Sequence, residues 1–452
     1  MPAMPVEAET DTELADSAVR HLAELIRIDT TNPPGNETPA AEYLAAMLSA
    51  AGLDPKLVGA DPRRMNVVAR VRGSGAKPPL LLAAHTDVVP VERSMWKHEP
   101  FGGEIHDGYL WGRGAIDMKQ MAVMSALVVT KLQREKVRLD RDVIFAGVAD
   151  EEAGCELGSK FLVDNHPELV RAEYALGEAG AFTVHVGGAT IYPIQVAEKG
   201  AVWIRLRTRG SAGHGSMPRA DNAVIALARA VARLGERSLP QHRTAVVTRF
   251  LAGMAETQKF PWSQLLPRLH IPGVARFVLR RLPDRGLVGV LNAALANTAV
   301  PTMLSAGASV NVIPGVAEVQ LDGRILPHQT AEDLLAEIRA VVGENVDIDI
   351  LRYAPPTEAK MDTPLWDVLV RTLVRHEPTA RPVPSLAPGQ TDAQHWSRLG
   401  TQCYGFMPTR FPNDGTTFAE LFHGHNERIP VEGLRWGVNV LYDAVREFAG
   451  QG

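Results

Sequence analysis

Leu80-Leu-Leu-Ala-Ala-His-Thr-Asp87 decides the reading of this chain. Its five apolar residues read as a buried strand, and the strand ends on a histidine and an acid two positions apart. Residues i and i+2 of a strand share a face, so His85 and Asp87 can act as a pair. The carboxylate would hold the imidazole tautomer while the other ring nitrogen binds metal. A solvated or ion-paired histidine at a strand end is the plainer alternative. Arg141 to Val148 repeats the pattern and leads through Ala149 into Asp150-Glu151-Glu152. Met65 to Val71 is a third buried strand. Helical spacing of apolar residues marks Ala15 to Ile28, Pro39 to Ala51 and Met118 to Leu132. Strands alternating with helices predict an α/β domain, a mixed or parallel sheet flanked by helices. The ligand site of such a sheet lies beyond the carboxyl ends of its strands, where these acids and histidines fall.

The chain has 452 residues, too many for one ordinary core, so two domains are expected. Its 47 basic and 52 acidic residues give a formal charge of -5, which leaves no basic excess for nucleic acid. No run of about 18 apolar residues predicts a membrane span. Met1 to Thr12 is polar and acidic and lacks the apolar segment of a secretory signal, so it reads as a frayed tail. Two cysteines outside any Cys-x-x-Cys pair suggest a reduced compartment, and the expectation is cytoplasmic.

From about Glu198 the pattern changes. Gly200 to Thr208 alternates like a half-exposed strand, and Ala223 to Leu234 is a helix with Asp221-Asn222 as its cap. Thr302 to Ala306, Ala308 to Val312, Ala317 to Ile325 and Val346 to Leu351 read as strands, with a helix over Thr330 to Val342. That order predicts a ferredoxin-like α+β layer over 198–354, inserted between catalytic segments 1–197 and 355–452. Within it, about 249–297 reads as an insertion of short helices punctuated by prolines.

Further motifs carry acids or histidines. Asp117, in Gly112-Arg-Gly-Ala-Ile-Asp117, precedes a helix; it is either an N-cap or a carboxylate bridging two cations about 3.5–4 Å apart. The three consecutive acids Asp150-Glu151-Glu152 repel one another unless cations or protons intervene. One glutamate can bind metal while its neighbour serves as general base, or all three form a solvated turn. Glu178 follows the apolar Tyr174-Ala-Leu176 and is bracketed by glycines, like an ordinary loop acid. In Phe422-His-Gly-His-Asn-Glu427, spacing alone does not choose between His423 and His425. His214 lies in Gly210-Ser-Ala-Gly-His214, a glycine-rich turn. Asn311 and Arg324 follow on neighbouring strand segments, and Arg324 either grips a substrate carboxylate or pairs with Asp322. Asp392 sits in another turn, lining the cleft. His98, His106, His185 and His395 read as structural.

Together and in this order, the motifs resemble those of the co-catalytic di-zinc metallohydrolases. That family includes aminoacylase, glutamate carboxypeptidase, succinyl-diaminopimelate desuccinylase, acetylornithine deacetylase and carboxypeptidase S. The resemblance covers nearly the whole chain. It implies two divalent metal ions, zinc first, with cobalt or manganese also compatible with the donors. It implies His85 and Glu178 on one metal, Glu152 and His423 on the other, and Asp117 bridging. It further implies Asp87 as orienter of His85, Glu151 as general base and His214 as oxyanion donor. Asn311 and Arg324 would hold the substrate's backbone and carboxylate. The inserted domain would be a lid and dimerisation domain, giving a homodimer. Gln120, Gln390 and the 249–297 insertion depart from the usual pattern.

The resulting expectation is a hydrolase cutting the amide bond of a small peptide or an N-acyl amino acid that carries a free carboxylate. Length and insertion lean toward a peptidase, with N-acyl-amino-acid deacylase as the alternative. A non-catalytic relative kept for binding or assembly would have lost ligands or base, and all seven of those positions are filled.

Overall fold

The fold is described from a computed structural model covering residues 10–186, 188–281 and 285–451. The chain divides into two compact units. One takes in the chain up to Val196 together with Ala359–Ser385 and everything from Thr391; the other is Ala197–Glu358 with Leu386–Gln390.

The first unit is built on a mixed sheet. Its strands run in the order Lys56–Val58, Asn66–Val71, Val143–Val148, Leu80–His85, Tyr174–Gly177, Gln402–Gly405 and Ala189–Glu198. Val143–Val148, Leu80–His85, Tyr174–Gly177 and Gln402–Gly405 are parallel, and Asn66–Val71 and Ala189–Glu198 are antiparallel to their neighbours. All six residues of Leu80–His85 are buried, which explains a continuous apolar run in place of an alternating one. Leu81 and Ala83 pack on one face with Ile144, Ala146, Leu162 and Trp396. On the unit's helical side, Asp11–Arg27, Lys119–Arg134 and Val431–Ala449 pack against one another. The cost of ordering this long sheet is offset by burial of side chains such as Leu80, Leu82, Phe145 and Leu127.

A separate small sheet matters for the site. Glu104–His106, Tyr109–Trp111 and Arg428–Pro430 form three antiparallel strands, with Tyr109–Trp111 in the middle. The segments carrying Asp117 and His423 adjoin these strands in sequence.

The second unit has a four-stranded antiparallel sheet in the order Thr298–Ala306, Val316–Ile325, Gly200–Arg209 and Asp347–Ala354. In chain order that is 2-3-1-4, the ferredoxin-like arrangement. Its buried face alternates along Val316–Ile325 and is covered by helices Ala223–Glu236 and Ala331–Val342. Asn222 accepts from the backbone of Val224 and Ile225, and Thr330 with Asp333 forms a capping box. The proline-rich stretch folds as helices, beginning at Ala245–Glu256 and including Pro272–Leu279; Pro283 lies outside the described residues.

Three expectations are corrected. Thr10 to Thr12 are not a tail: Thr10 caps a helix that starts at Asp11, in a capping box with Glu13. Residues 1–9 lie outside the described residues. Ala308 to Val312 is not a strand: Gly307 turns the chain at φ 67°, and Val312 N–H bonds back to the Ser309 carbonyl. Only Val312–Ile313 pairs, with Gly213–His214. Asp117 is not an N-cap; the helix begins after Met118, and no side chain caps it.

Candidate metal centre

The buried sheet delivers its acids at strand ends. His85 closes Leu80–His85, Glu151 and Glu152 follow Val143–Val148, and Glu178 follows Tyr174–Gly177. Since these three strands are parallel and adjacent, their carboxyl ends open at one edge. Asp117 and His423 arrive from the two loops flanking the small sheet.

Asp117 is the centre of the cluster. Its Oδ1 lies 3.1 Å from His85 Nε2 and its Oδ2 lies 2.9 Å from His423 Nε2. Each histidine nitrogen also faces one glutamate: His85 is 3.4 Å from Glu178 Oε2, and His423 is 3.2 Å from Glu152 Oε2. The cluster therefore has two halves that share one carboxylate. Glu151 joins neither histidine directly, and its carboxyl makes no hydrogen bond or ion pair among the described residues. One of its oxygens still lies within 4.8 Å of donor atoms of His85 and Glu178.

The surroundings fix the orientation. His85 Nδ1 donates to the Asp87 main-chain carbonyl at 3.0 Å. A carbonyl can only accept, so Nδ1 carries a proton and Nε2 is the nitrogen that faces Asp117 and Glu178, the one a metal would take once its own proton is displaced. The Asp87 carboxylate sits farther off, at 3.5 Å, and accepts from Asn32 Nδ2 and from the backbone N–H groups of Glu151 and Glu152. Glu427 does the same for Asp117, accepting from Ile116 N–H and Asp117 N–H while its other oxygen takes Arg113. Asp150 turns away from its two neighbours, at φ 68°, to pair with Arg64 and accept from Asn32 and Leu157. That turn separates the three consecutive acids. Asp392 accepts from Ser159 Oγ at 2.5 Å and is close enough to raise Glu151 and Glu178 electrostatically.

Burial would hold every one of these carboxyls neutral. It raises Glu178 to about 8, against pairing with His85, and raises Glu152 and, much further, Glu151, where Glu178 adds like charge. Burial also opposes charge on His85, but the facing Asp117, Asp87 and Glu178 outweigh it and lift the imidazole well above its usual range. Hydrogen bonds to Asp117 and Glu152 raise His423 to about 10. Asp117 is held down despite burial by these two histidines. Glu152 Oε1 is buried with no hydrogen-bond partner. Two imidazole nitrogens, four carboxylates and an orphaned carboxylate oxygen at a strand-end opening fit a pair of divalent cations.

The other expected residues lie in the second unit. His214 is exposed on Gly213–His214. Its Nδ1 accepts from the Ser216 N–H at 3.2 Å and from Ser216 Oγ at 2.8 Å, which leaves the proton on Nε2, the outward nitrogen. The Asn311 carbonyl accepts from Gly215 N–H, so the two turns are neighbours. Arg324 forks onto Asp322, with Nε to Oδ1 at 2.8 Å and a second bond at 3.2 Å. Its bidentate capacity is thus engaged within its own strand.

Asn32, Glu427 and the role of Ser159 as donor to Asp392 escaped sequence reading, which marked Asp392 only as an acid lining the cleft. The only signal was Glu427 within His423-Gly-His-Asn-Glu427.

A mixed α/β sheet bearing a shared-carboxylate cluster at its parallel strand ends defines a metallohydrolase. The sequence matches Peptidase family M20/M25/M40 over residues 81–447, and the chain belongs to that family and is a hydrolase. It is 28% identical over 390 residues to the N-fatty-acyl-amino acid synthase/hydrolase of Homo sapiens, covering 81% of this chain and 74% of that one. It is 27% identical over 435 residues to aminoacylase-1 of Sus scrofa, covering 94% and 93%. Its fold is similar to the M20 family metallo-carboxypeptidase Sso-CP2 from Sulfolobus solfataricus, with TM-score 0.70 and 17% identity over 96% of this chain and 99% of that one.

The cluster sets a pH dependence for the metal-stripped protein. Glu178 has its folded value raised from 4.5 to about 8, so the stability it contributes is complete below 4.5 and is lost as pH climbs toward 8. His423, raised from 6.5 to about 10, contributes stability below 6.5 that is lost as pH climbs toward 10. Both act in one direction. Urea unfolding in chelator is expected to show stability falling from about pH 5 to about pH 9, with a flatter fall in Glu178→Gln. The same steepness in wild type and variant would contradict this.

Proposed function

We propose that this protein hydrolyses the amide bond of an N-acyl amino acid or small peptide with a free carboxylate, using two divalent metal ions, zinc first. The observation that carries the reading is Asp117, whose two oxygens face two histidines that each have a glutamate of their own. His85 and Glu178 would hold one ion, Glu152 and His423 the other, and Asp117 both. Such a pair lowers the pKa of a water and polarises a carbonyl.

The residues do the rest. Glu151 is fixed by its own backbone N–H on Asp87 and stays outside the histidine pairs, so its carboxylate is available to a proton. It takes one from the attacking water as the oxygen bonds to the carbonyl carbon. It gives that proton to the nitrogen as the C–N bond breaks. Burial, which raises its proton affinity, suits a group that must both accept and return. Asp87 acts as a positioning residue for His85, Glu151 and Glu152. His214, with its proton on Nε2, has the tautomer that an oxyanion donor needs. Asn311 and Arg324 remain proposed contacts for the substrate's backbone and carboxylate. Arg324 would reach a carboxylate only with the guanidinium edge that Asp322 leaves free.

Within this class we favour an N-acyl amino acid with an apolar acyl group. Phe422 stacks on His423 at 4.3 Å between ring centroids, and 40% of it is exposed. Phe418 continues the stack behind it. An apolar surface beside a proposed metal ligand suits an acyl chain; the name of the human relative, an N-fatty-acyl-amino acid synthase/hydrolase, points the same way, and that of the aminoacylase points to the N-acyl amino acid class. The test is a metal-reconstituted assay on N-acyl amino acids of increasing chain length beside dipeptides and N-succinyl amino acids. Glu151→Gln serves as control. Long-chain N-acyl substrates are expected to give the highest kcat/KM, and Glu151→Gln to keep its metal while losing about 10²–10⁴-fold in turnover. Equal activity in Glu151→Gln would remove the base assignment, and preference for dipeptides would remove the acyl one.

We further propose a cytoplasmic homodimer, in keeping with two free cysteines. No described helix is long and apolar enough to cross a membrane. The edge strand Thr298–Ala306 exposes Val300, Met303 and Leu304, a surface suited to pairing with a second copy. Light scattering is expected to give a dimer for wild type and a monomer for Leu304→Arg. A monomeric wild type would overturn the assembly.

A further inference from the structure

We propose a third metal site, separate from the catalytic cluster, formed by His98, Glu104 and His106 on the small three-stranded sheet. It would take one divalent ion of the zinc, nickel or copper kind.

The three side chains come together for reasons visible in the backbone. Glu104 and His106 are two apart on Glu104–His106 and so project from the same face. Glu104 lies opposite Trp111 in the antiparallel register. Trp111 organises the other two: its indole N–H donates to the His106 carbonyl at 3.2 Å, and its ring meets the His98 ring edge-on at 4.5 Å. His98 then stacks on His106 with centroids 3.8 Å apart and planes 9° from parallel. One ligand atom from each of His98, Glu104 and His106 lies within 4.8 Å of the others.

The loop carrying His98 is itself pinned. Lys97 N–H donates to Asn426 Oδ1 at 2.7 Å, and Asn426 Nδ2 donates to the Met95 carbonyl. The nearby cation Arg27 is committed elsewhere, to Glu24 and the Gly102 carbonyl.

Two imidazole nitrogens and one carboxylate make a donor set for first-row metals and leave an open position for water. His106 Nε2 and Glu104 Oε2 are 2.9 Å apart, so a shared proton is what an ion would displace. The hydrogen bond from His106 already holds the Glu104 carboxyl below its usual range, in the ionised form that a metal needs. A small rotation of the partly exposed imidazoles would bring both nitrogens onto one ion. Magnesium and calcium, which prefer all-oxygen shells, are excluded by this set. An ion here would tie the loop before Glu104 to the strand Glu104–His106, which pairs with Tyr109–Trp111, and the same loop is held through Asn426 to the segment of His423. It would fix this edge of the unit without entering the catalytic cluster.

Metal content per chain after equilibrium dialysis against micromolar zinc or nickel tests the site. The comparison is between wild type and the double variant His98→Ala/His106→Ala, both with the catalytic cluster intact. The double variant is expected to hold one equivalent less than wild type, whatever the wild-type total, and to keep wild-type hydrolysis rates. Because the readout is a difference, it stands apart from the function proposed above. Glu104→Gln, a single exposed change, is the second variant and should weaken the extra equivalent at least tenfold. With Cu2+, the paramagnetic resonance spectrum of wild type should carry a two-nitrogen signal that the double variant lacks. Equal metal content in wild type and double variant, or unchanged affinity in Glu104→Gln, would overturn the proposal.

Discussion

The structure depends on one electrostatic constraint: four largely buried carboxylates converge on two imidazoles, His85 buried and His423 half exposed at the opening. Two like charges about 4 Å apart repel by on the order of 4 kcal/mol at an effective dielectric near 20. Asp117, Glu151, Glu152 and Glu178 cannot all be ionised in the folded chain without a compensating charge. The metal-free protein answers with protons, which is why burial drives Glu178 to about 8 and the paired histidines upward. Divalent cations answer the same need with the acids ionised.

Much of the fold serves to hold this unfavourable arrangement still. Asp87 grips the backbone of Glu151 and Glu152, Asn32 grips Asp87 and Asp150, and Glu427 grips the backbone at Asp117. Asn66 adds to this from the neighbouring strand: its Oδ1 accepts from Ala149 N–H, and its amide donates to the Val58 and Leu157 carbonyls. Most of these bonds run to main-chain groups, and those of Asn32 run to the carboxylates of Asp87 and Asp150, so each fixes the position of a loop or an acid around the centre. The sheet supplies the rest by ending three adjacent parallel strands at one level.

His85, Glu151, Glu152 and Glu178 were legible as candidates because each follows an apolar strand, where pattern and position agree, whereas Asp117 and His423 lie in loops and stood out only as part of their motifs. Leu80–His85 and Val143–Val148 are buried on both faces, so their sequences are continuous apolar blocks that announce their own ends. The ferredoxin-like layer was legible from alternation along Val316–Ile325 and from caps at Asn222 and Thr330. What stayed hidden depends on contacts distant in sequence. Nothing local tells that Asn32 will meet Asp87 and Asp150, or that Ser159 will bond Asp392. Ala308 to Val312 has strand-like residues, but the turn at Gly307 and the Ser309–Asn311 contact win over propensity. Arg324 shows the opposite case: the bland alternative, a fork onto Asp322, is present in the structure, and any substrate contact must coexist with it.

The central claim is that Asp117 is shared by two metal ions. X-ray absorption or crystallography of the zinc-loaded protein tests it most directly. The account predicts two ions about 3.5–4 Å apart, one on each oxygen of Asp117, with His85 and Glu178 on one side and Glu152 and His423 on the other. A single ion, or two ions with Asp117 bound to neither or only one, would contradict it.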